Sequence, residues 1–149
     1  MIARCCLLVA VLAVSCGTLS TVTAEDDPEI FISGRRLSKD TELVWAIKRS
    51  RLMAVPLWHA GFEEAPLSPN KAVAIANDYI RNQLAVQGAN VFRIFLMPLR
   101  AESDDRWMYD IDYTTDGFLL SDDPRLGVKV AMDGKVIIPE KRPVTEHTK

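Results

Sequence analysis

Two carboxylates one residue apart, Asp110 and Asp112, are the nearest thing in this sequence to a chemical site. They lie in Trp107-Met108-Tyr109-Asp110-Ile111-Asp112-Tyr113, where residue character alternates. Alternation places both acids on one face of a strand, with Cα atoms about 7 Å apart. Such a pair could hold a calcium ion or work as an acid/base couple. Alternating acids are more often the solvent face of an ordinary strand, and that is the stronger reading here. Asp104-Asp105 and Asp122-Asp123 could add oxygen ligands, but the spacing is not that of an EF-hand. Histidine is scarce: His59 stands beside Trp58, and His147 is near the end of the chain. A nucleophile or a metal site needs positioned partners, and His59 reads as a surface residue. No serine has a Gly-x-Ser-x-Gly setting, and Gly127 and Gly134 are too isolated to cradle a phosphate. The expectation is a non-enzymatic chain with no cofactor and no metal.

The three cysteines, Cys5, Cys6 and Cys16, all fall in the first 24 residues. There Arg4 precedes an apolar run from Cys5 to Val14, and the stretch ends in Val22-Thr23-Ala24 before Glu25-Asp26-Asp27. This is the layout of a secretory signal with a small-x-small cleavage site after Ala24. Cleavage there leaves a mature chain without thiols, secreted or periplasmic. Ala13-Val14-Ser15-Cys16-Gly17 also resembles a lipobox, which would place a lipid anchor on Cys16.

Residues 25–149 suffice for one domain. The whole chain carries 18 Lys and Arg against 20 Asp and Glu, and Arg4 is the single charge in the leader. The balance is near-neutral and interspersed, which argues against a nucleic-acid binder. Past Ala24 no apolar run reaches the roughly 18–20 residues of a membrane span.

Residues 25–65 read as a lead-in and arm. Ile30-Phe31-Ile32 is a short edge strand or an apolar peg. Asp40 could cap a helix with Leu43, Ala46, Ile47 and Ser50 on one face, and Lys48, Arg49 and Arg51 at its end. Leu52 to Trp58 is extended around Pro56. From residue 66 the pattern sharpens. Ser68 is an N-cap, Pro69 a first helical residue, and Ala72, Ala76, Tyr79, Ile80 and Leu84 recur on one face until Gly88. Strands follow over Val91–Leu99, Arg106–Thr114 and Gly127–Met132. Asp133-Gly134 reads as a type I′ turn into Lys135–Ile138, and Pro139 ends the pairing. Residues 140–149 form a flexible tail. The expected fold is α+β: one main helix on a three- to four-stranded antiparallel sheet, a cystatin-like two-layer unit over 66–139 with an N-terminal helix or arm.

The first of these strands has two apolar faces: Phe92, Ile94 and Leu96 alternate with Arg93, Phe95 and Met97. Either the segment 43–58 folds over the second face, or Phe95 and Met97, with Trp58, form a patch for a partner.

Trp107-Met108-Tyr109 and the later Val130 to Ile137 segment, with its Met-Asp-Gly-Lys-Val-Ile, resemble the PepSY-like group of small secreted bacterial domains. Val55-Pro56-Leu57-Trp58 and Pro66-Leu67-Ser68-Pro69 are similar to segments of exported proteins of planctomycete-type bacteria. The resemblance implies a helix packed on an antiparallel sheet and a non-catalytic role in the cell envelope, as a binding module or a modulator of peptidases. The partner would be a protein or peptide. The alternative is a periplasmic ligand carrier or enzyme with a pocket between helix and sheet, lined by Tyr79, Trp107 and Tyr109.

Overall fold

The computed structural model describes residues 27–99, 105–115 and 126–144. The leader with Cys5, Cys6 and the Cys16 box, Asp104, Asp122-Asp123 and His147 lie outside the described residues. Seven strands and two helices follow in the order β1 (Glu29–Arg36), β2 (Thr41–Lys48), α1 (Arg49–Ala54), α2 (Pro69–Asn82), β3 (Asn90–Pro98), β4 (Trp107–Thr114), β5 (Gly127–Ala131), β6 (Val136–Ile137) and β7 (Glu140–Pro143). They form two antiparallel sheets, β1-β2-β7 and β3-β4-β5-β6. This corrects the expected α+β architecture of one main helix on one sheet. The chain is mainly β, and its N-terminal arm builds most of a second sheet.

The correction has a local cause. Thr41 to Lys48 carries both periods: Leu43, Ala46 and Ile47 suit a helix, while Leu43, Trp45 and Ile47 alternate as in a strand. Thr, Val, Trp and Ile favour the strand, and pairing with β1 and β7 on either side settles it. Asp40 caps no helix but sits in the β1–β2 connection, where its amide donates to Ser38 Oγ and its carbonyl accepts from Val144 N. Helix α1 begins only at Arg49. Its first turn is held by Asp27, which accepts from Ser50 N at 2.8 Å and from the Ser50 hydroxyl. Those two bonds hold the Asp27 carboxyl below its usual range. Arg51, expected to decorate a helix end, reaches across to the carbonyl of Val136 at 3.2 Å and so fastens α1 to β6. Glu140–Pro143, expected to fray, forms β7 by pairing with β2, and Arg142 bonds both Glu29 and Glu140 at that sheet.

The long helix is built as its residues dictate. Ser68 Oγ accepts from Lys71 N, and Pro69 stands in the first turn. It ends at Asn82 rather than near Gly88, with Ala85 in the left-handed region at φ 54. The turn after β5 also differs from type I′. Gly134 has φ +77, whereas Asp133 is not left-handed, and its carboxylate accepts from Lys135 N at 3.0 Å.

Antiparallel register defines the two faces of the larger sheet. Tyr109, Ile111, Val128 and Val130 share the face packed under α2, which buries Ala72, Ala76 and Ile80. Met108, Ala131, Lys129 and Ile137 share the other face, which meets Leu43, Trp45 and Ile47 of β2 in one continuous core. Helix α2 lies mainly over β4, β5 and β6, and the side chains of β3 stay exposed.

Two tests follow from this packing. Ala76 is fully buried where α2 meets the sheet. Ala76→Leu should lower stability by about 1–3 kcal/mol in urea unfolding, since close-packed interiors resist extra methylenes. Tyr113 is also buried, donating from its hydroxyl to Asn77 Oδ1 at 2.8 Å. Burial pushes its phenol from 10 up to about 12, against a small opposing effect of Arg81. A raised folded pKa means that this group's stability contribution is complete below pH 10 and is lost as pH rises toward about 12. Burial likewise raises Tyr79 and Tyr109. Tyrosinate absorbance should therefore appear above pH 10, together with loss of near-ultraviolet circular dichroism. Titration at the ordinary phenol pKa with the fold intact would contradict the packing.

Candidate functional site

The two sheets do not close on each other along their whole length. Between them opens a cleft of about 600 Å³. One wall comes from the first hairpin: Ser33 and Arg35 alternate onto one side of β1, and Trp45 lies across from Ser33 on β2. The other wall is the β3–β5 face: Arg93, Phe95 and Met97 on β3, Asp110 and Asp112 on β4, Gly127 and Lys129 on β5. A bulge in β3 makes this possible. The register shifts between Val91 and Arg93, so Val91 lies opposite Tyr113 while Arg93 lies opposite Asp112.

The structure thus brings together four of the residues singled out from the sequence: Phe95, Met97, Asp110 and Asp112. The two acids do not act as a pair. Each is committed to a cation on the neighbouring strand. Arg93 Nε donates to Asp112 Oδ2 at 2.6 Å, and Lys129 Nζ bonds Asp110 Oδ2 at 2.5 Å. Arg93 also stacks 4.8 Å over the Phe95 ring, and Lys129 lies 5.1 Å from the centroid of Trp45. The result is a neutralised ladder of alternating charge, rather than an open carboxylate site. Among the described residues no three His, Cys, Asp or Glu side chains come together as metal ligands.

Trp58, the remaining candidate, lies elsewhere. It is 8 % exposed and packs edge-on against Trp107, ring centroids 5.9 Å apart. Its indole N–H donates to the Glu63 carbonyl, and its own carbonyl accepts from the Trp107 indole. It is a core residue, and a contact with a partner would require unfolding the segment around it. Segment 43–58 does fold over the second sheet face, but only over its β5–β6 side. Phe95 and Met97 remain 45 % and 38 % exposed. His59 is exposed, 3.3 Å from Asp105 and 3.9 Å from Glu63. Of the residues expected to line a pocket between helix and sheet, Tyr109 is buried with its hydroxyl donating to the Leu67 carbonyl at 2.9 Å, and the Trp107 indole is tied to the Trp58 carbonyl.

Sequence reasoning missed Ser33, Arg35 and Lys129 and gave Trp45 only a covering role. Lys129 did leave a signal. It sits between two apolar residues on the strand next to Asp110, where a buried lysine requires an acid.

No family model matches this chain, and comparison with curated proteins and with solved structures finds no significant similarity. Among the described residues no helix is long and apolar enough to cross a membrane.

The two ion pairs differ in burial, and that difference is measurable. The Lys129 side chain is 8 % exposed and that of Arg93 is 44 % exposed. Asp110→Asn leaves a buried ammonium with a weaker partner and should cost roughly 3 kcal/mol. Asp112→Asn releases an arginine that can turn to water and should cost less than about 1 kcal/mol. Chemical denaturation of the two variants gives the comparison, and equal costs would contradict it.

Proposed function

We propose that this chain is an exported, non-enzymatic binding module that captures an extended segment of a protein partner along β3. The observation that carries this reading is the state of β3 itself. All nine residues from Asn90 to Pro98 are exposed, and Val91, Phe92, Ile94, Phe95, Leu96 and Met97 each keep between 36 % and 46 % of their surface open. The strand stands at the end of the sheet order, bonded to β4 on one side, with no described strand on the other. Edge strands in folded proteins are ordinarily blunted by charge or by a covering element. β3 has one charge, Arg93, already engaged by Asp112, and a proline only at its end. A partner strand could bond the free main-chain edge and lay alternate side chains on both apolar faces.

The leader supports export, and the commitment of Asp110 and Asp112 to Lys129 and Arg93 supports binding over catalysis. The PepSY-like resemblance makes a peptidase the first full-length partner to assay.

Panning a random-peptide phage library against residues 25–149 tests the proposal. The expected outcome is enrichment of peptides with alternating apolar residues, whose binding falls roughly tenfold or more in Ile94→Lys and Phe95→Asp. Both positions are half-exposed, so the variants should keep the wild-type circular dichroism spectrum. Peptides that bind folded wild type and both variants equally would overturn it, as would no enrichment at all.

A further inference from the structure

The hairpin wall of the cleft carries hydrogen-bond donors without acceptors. Ser33 Oγ and Trp45 Nε1 are both buried and unpartnered. They are direct neighbours in the β1–β2 register, and both residues line the cleft. Trp45 is 4 % exposed. The contrast with the other tryptophans is sharp, because the Trp58 and Trp107 indoles each donate to a carbonyl. A buried donor without an acceptor bears the whole cost of leaving water, so such groups in folded chains ask for an explanation. Two residues further along the same side of β1 stands Arg35, exposed and without an ion pair among the described residues. A hydroxyl, an indole N–H and a guanidinium therefore gather on one wall.

The charge balance of the whole cleft fits these donors. Arg35, Arg93 and Lys129 outnumber Asp110 and Asp112, and both acids are already paired, so the cleft has an excess of one positive charge. Phe95 and Met97 add an apolar surface. Together the walls suit a ligand with acceptor oxygens at one end and an apolar group at the other. The cleft volume, about 600 Å³, lies within the range of small-molecule sites.

We infer that the cleft between β1–β2 and the β3–β5 face binds an amphipathic carboxylate, its oxygens on Arg35, Ser33 and Trp45 and its apolar part on Phe95 and Met97. The two orphaned donor atoms are sealed beneath the surface, so the ligand has to part the Ser33–Trp45 pair. The register shift between Phe31 and Ser33 leaves the ladder interrupted beside that pair. Both an acyl chain with a terminal carboxylate and the C-terminus of an apolar peptide present this chemistry.

The experiment titrates isotope-labelled residues 25–149 with decanoate, with acetyl-Ala-Val-Val bearing a free carboxylate, and with the same peptide amidated. The indole N–H resonances, assigned from backbone experiments, are followed throughout. The expected result is a saturable shift of the Trp45 indole resonance with at least one carboxylate, while the Trp58 and Trp107 indoles stay in place. Arg35→Ala, at an exposed position, should weaken that binding about tenfold, and Ser33→Ala should weaken it by a smaller factor. A response to decanoate alone assigns an acyl chain, a response to the free peptide alone assigns a chain terminus, and a response to both assigns the shared chemistry. An amide that binds as tightly as the acid, or a Trp45 resonance unmoved by any probe, overturns the inference. The site does not depend on strand capture at β3. Ile94 faces the helix side, so Ile94→Lys should weaken strand capture at β3 by that same roughly tenfold or more and leave the Trp45 response intact.

Discussion

A buried ammonium cannot be left alone, and in this fold Lys129 is the group that imposes that condition. It sits on β5, bonds Asp110 on β4, and lies against the ring of Trp45 on β2. One cation is thus shared by both sheets. Losing the acid would strand a charge away from water, a cost of several kcal/mol, far more than an exposed pair contributes. The bond also protects register. A slip of one residue between β4 and β5 would turn Lys129 away from Asp110 and onto the face beneath Ala72, Ala76 and Ile80. The rest of the arrangement follows from this placement. With Trp45 held over Lys129 and Arg51 held on the Val136 carbonyl, the first hairpin sits toward β5 and β6. Helix α2 covers the same strands from the opposite side. Nothing described is left to cover β3.

That distribution explains which parts of the molecule were legible in the sequence. Ser68-Pro69 and the Ala72, Ala76, Ile80 ridge announce a helix because capping and helical periodicity are local properties. The alternation from Trp107 to Tyr113 announces a strand for the same reason, and it correctly separates Tyr109 and Ile111 from Asp110 and Asp112. Thr41 to Lys48 was not legible. Its apolar residues satisfy both periods, and only its partners on either side, β1 and β7, decide between them. β7 itself is Glu-Lys-Arg-Pro following Pro139, with no local preference for a strand. It becomes a strand by pairing along β2, with Arg142 meeting Glu29 at the far end of the described chain. Once β2 and β7 are strands, a one-sheet architecture is no longer available.

The candidate site divides along the same line. Phe95, Met97, Asp110 and Asp112 could be grouped in advance, since they lie on two strands that follow each other and pair. Ser33, Arg35 and Trp45 could not, because they reach the cleft only when a hairpin more than forty residues away folds over it. The chemistry of the acids depended on the same missing information. Two carboxylates on one strand suggest a shared proton or a cation. The strands on either side instead supply Arg93 and Lys129, one to each acid. Cross-strand pairing, invisible along a single strand, turns a potential acid couple into a neutral ladder.

Partial coverage is also what makes β3 and the cleft parts of one surface. Phe95 and Met97 belong to both: they line the cleft and stand on the open edge strand. A strand with six half-exposed apolar side chains, a single and already neutralised charge and a free edge is a template for pairing with any extended chain. A molecule that kept such an edge without a use for it would bear the hazard of self-association for nothing. The hairpin, with Trp45 against Lys129, lies over the β5–β6 side instead. One of the contacts that joins the two sheets thus also favours an open β3.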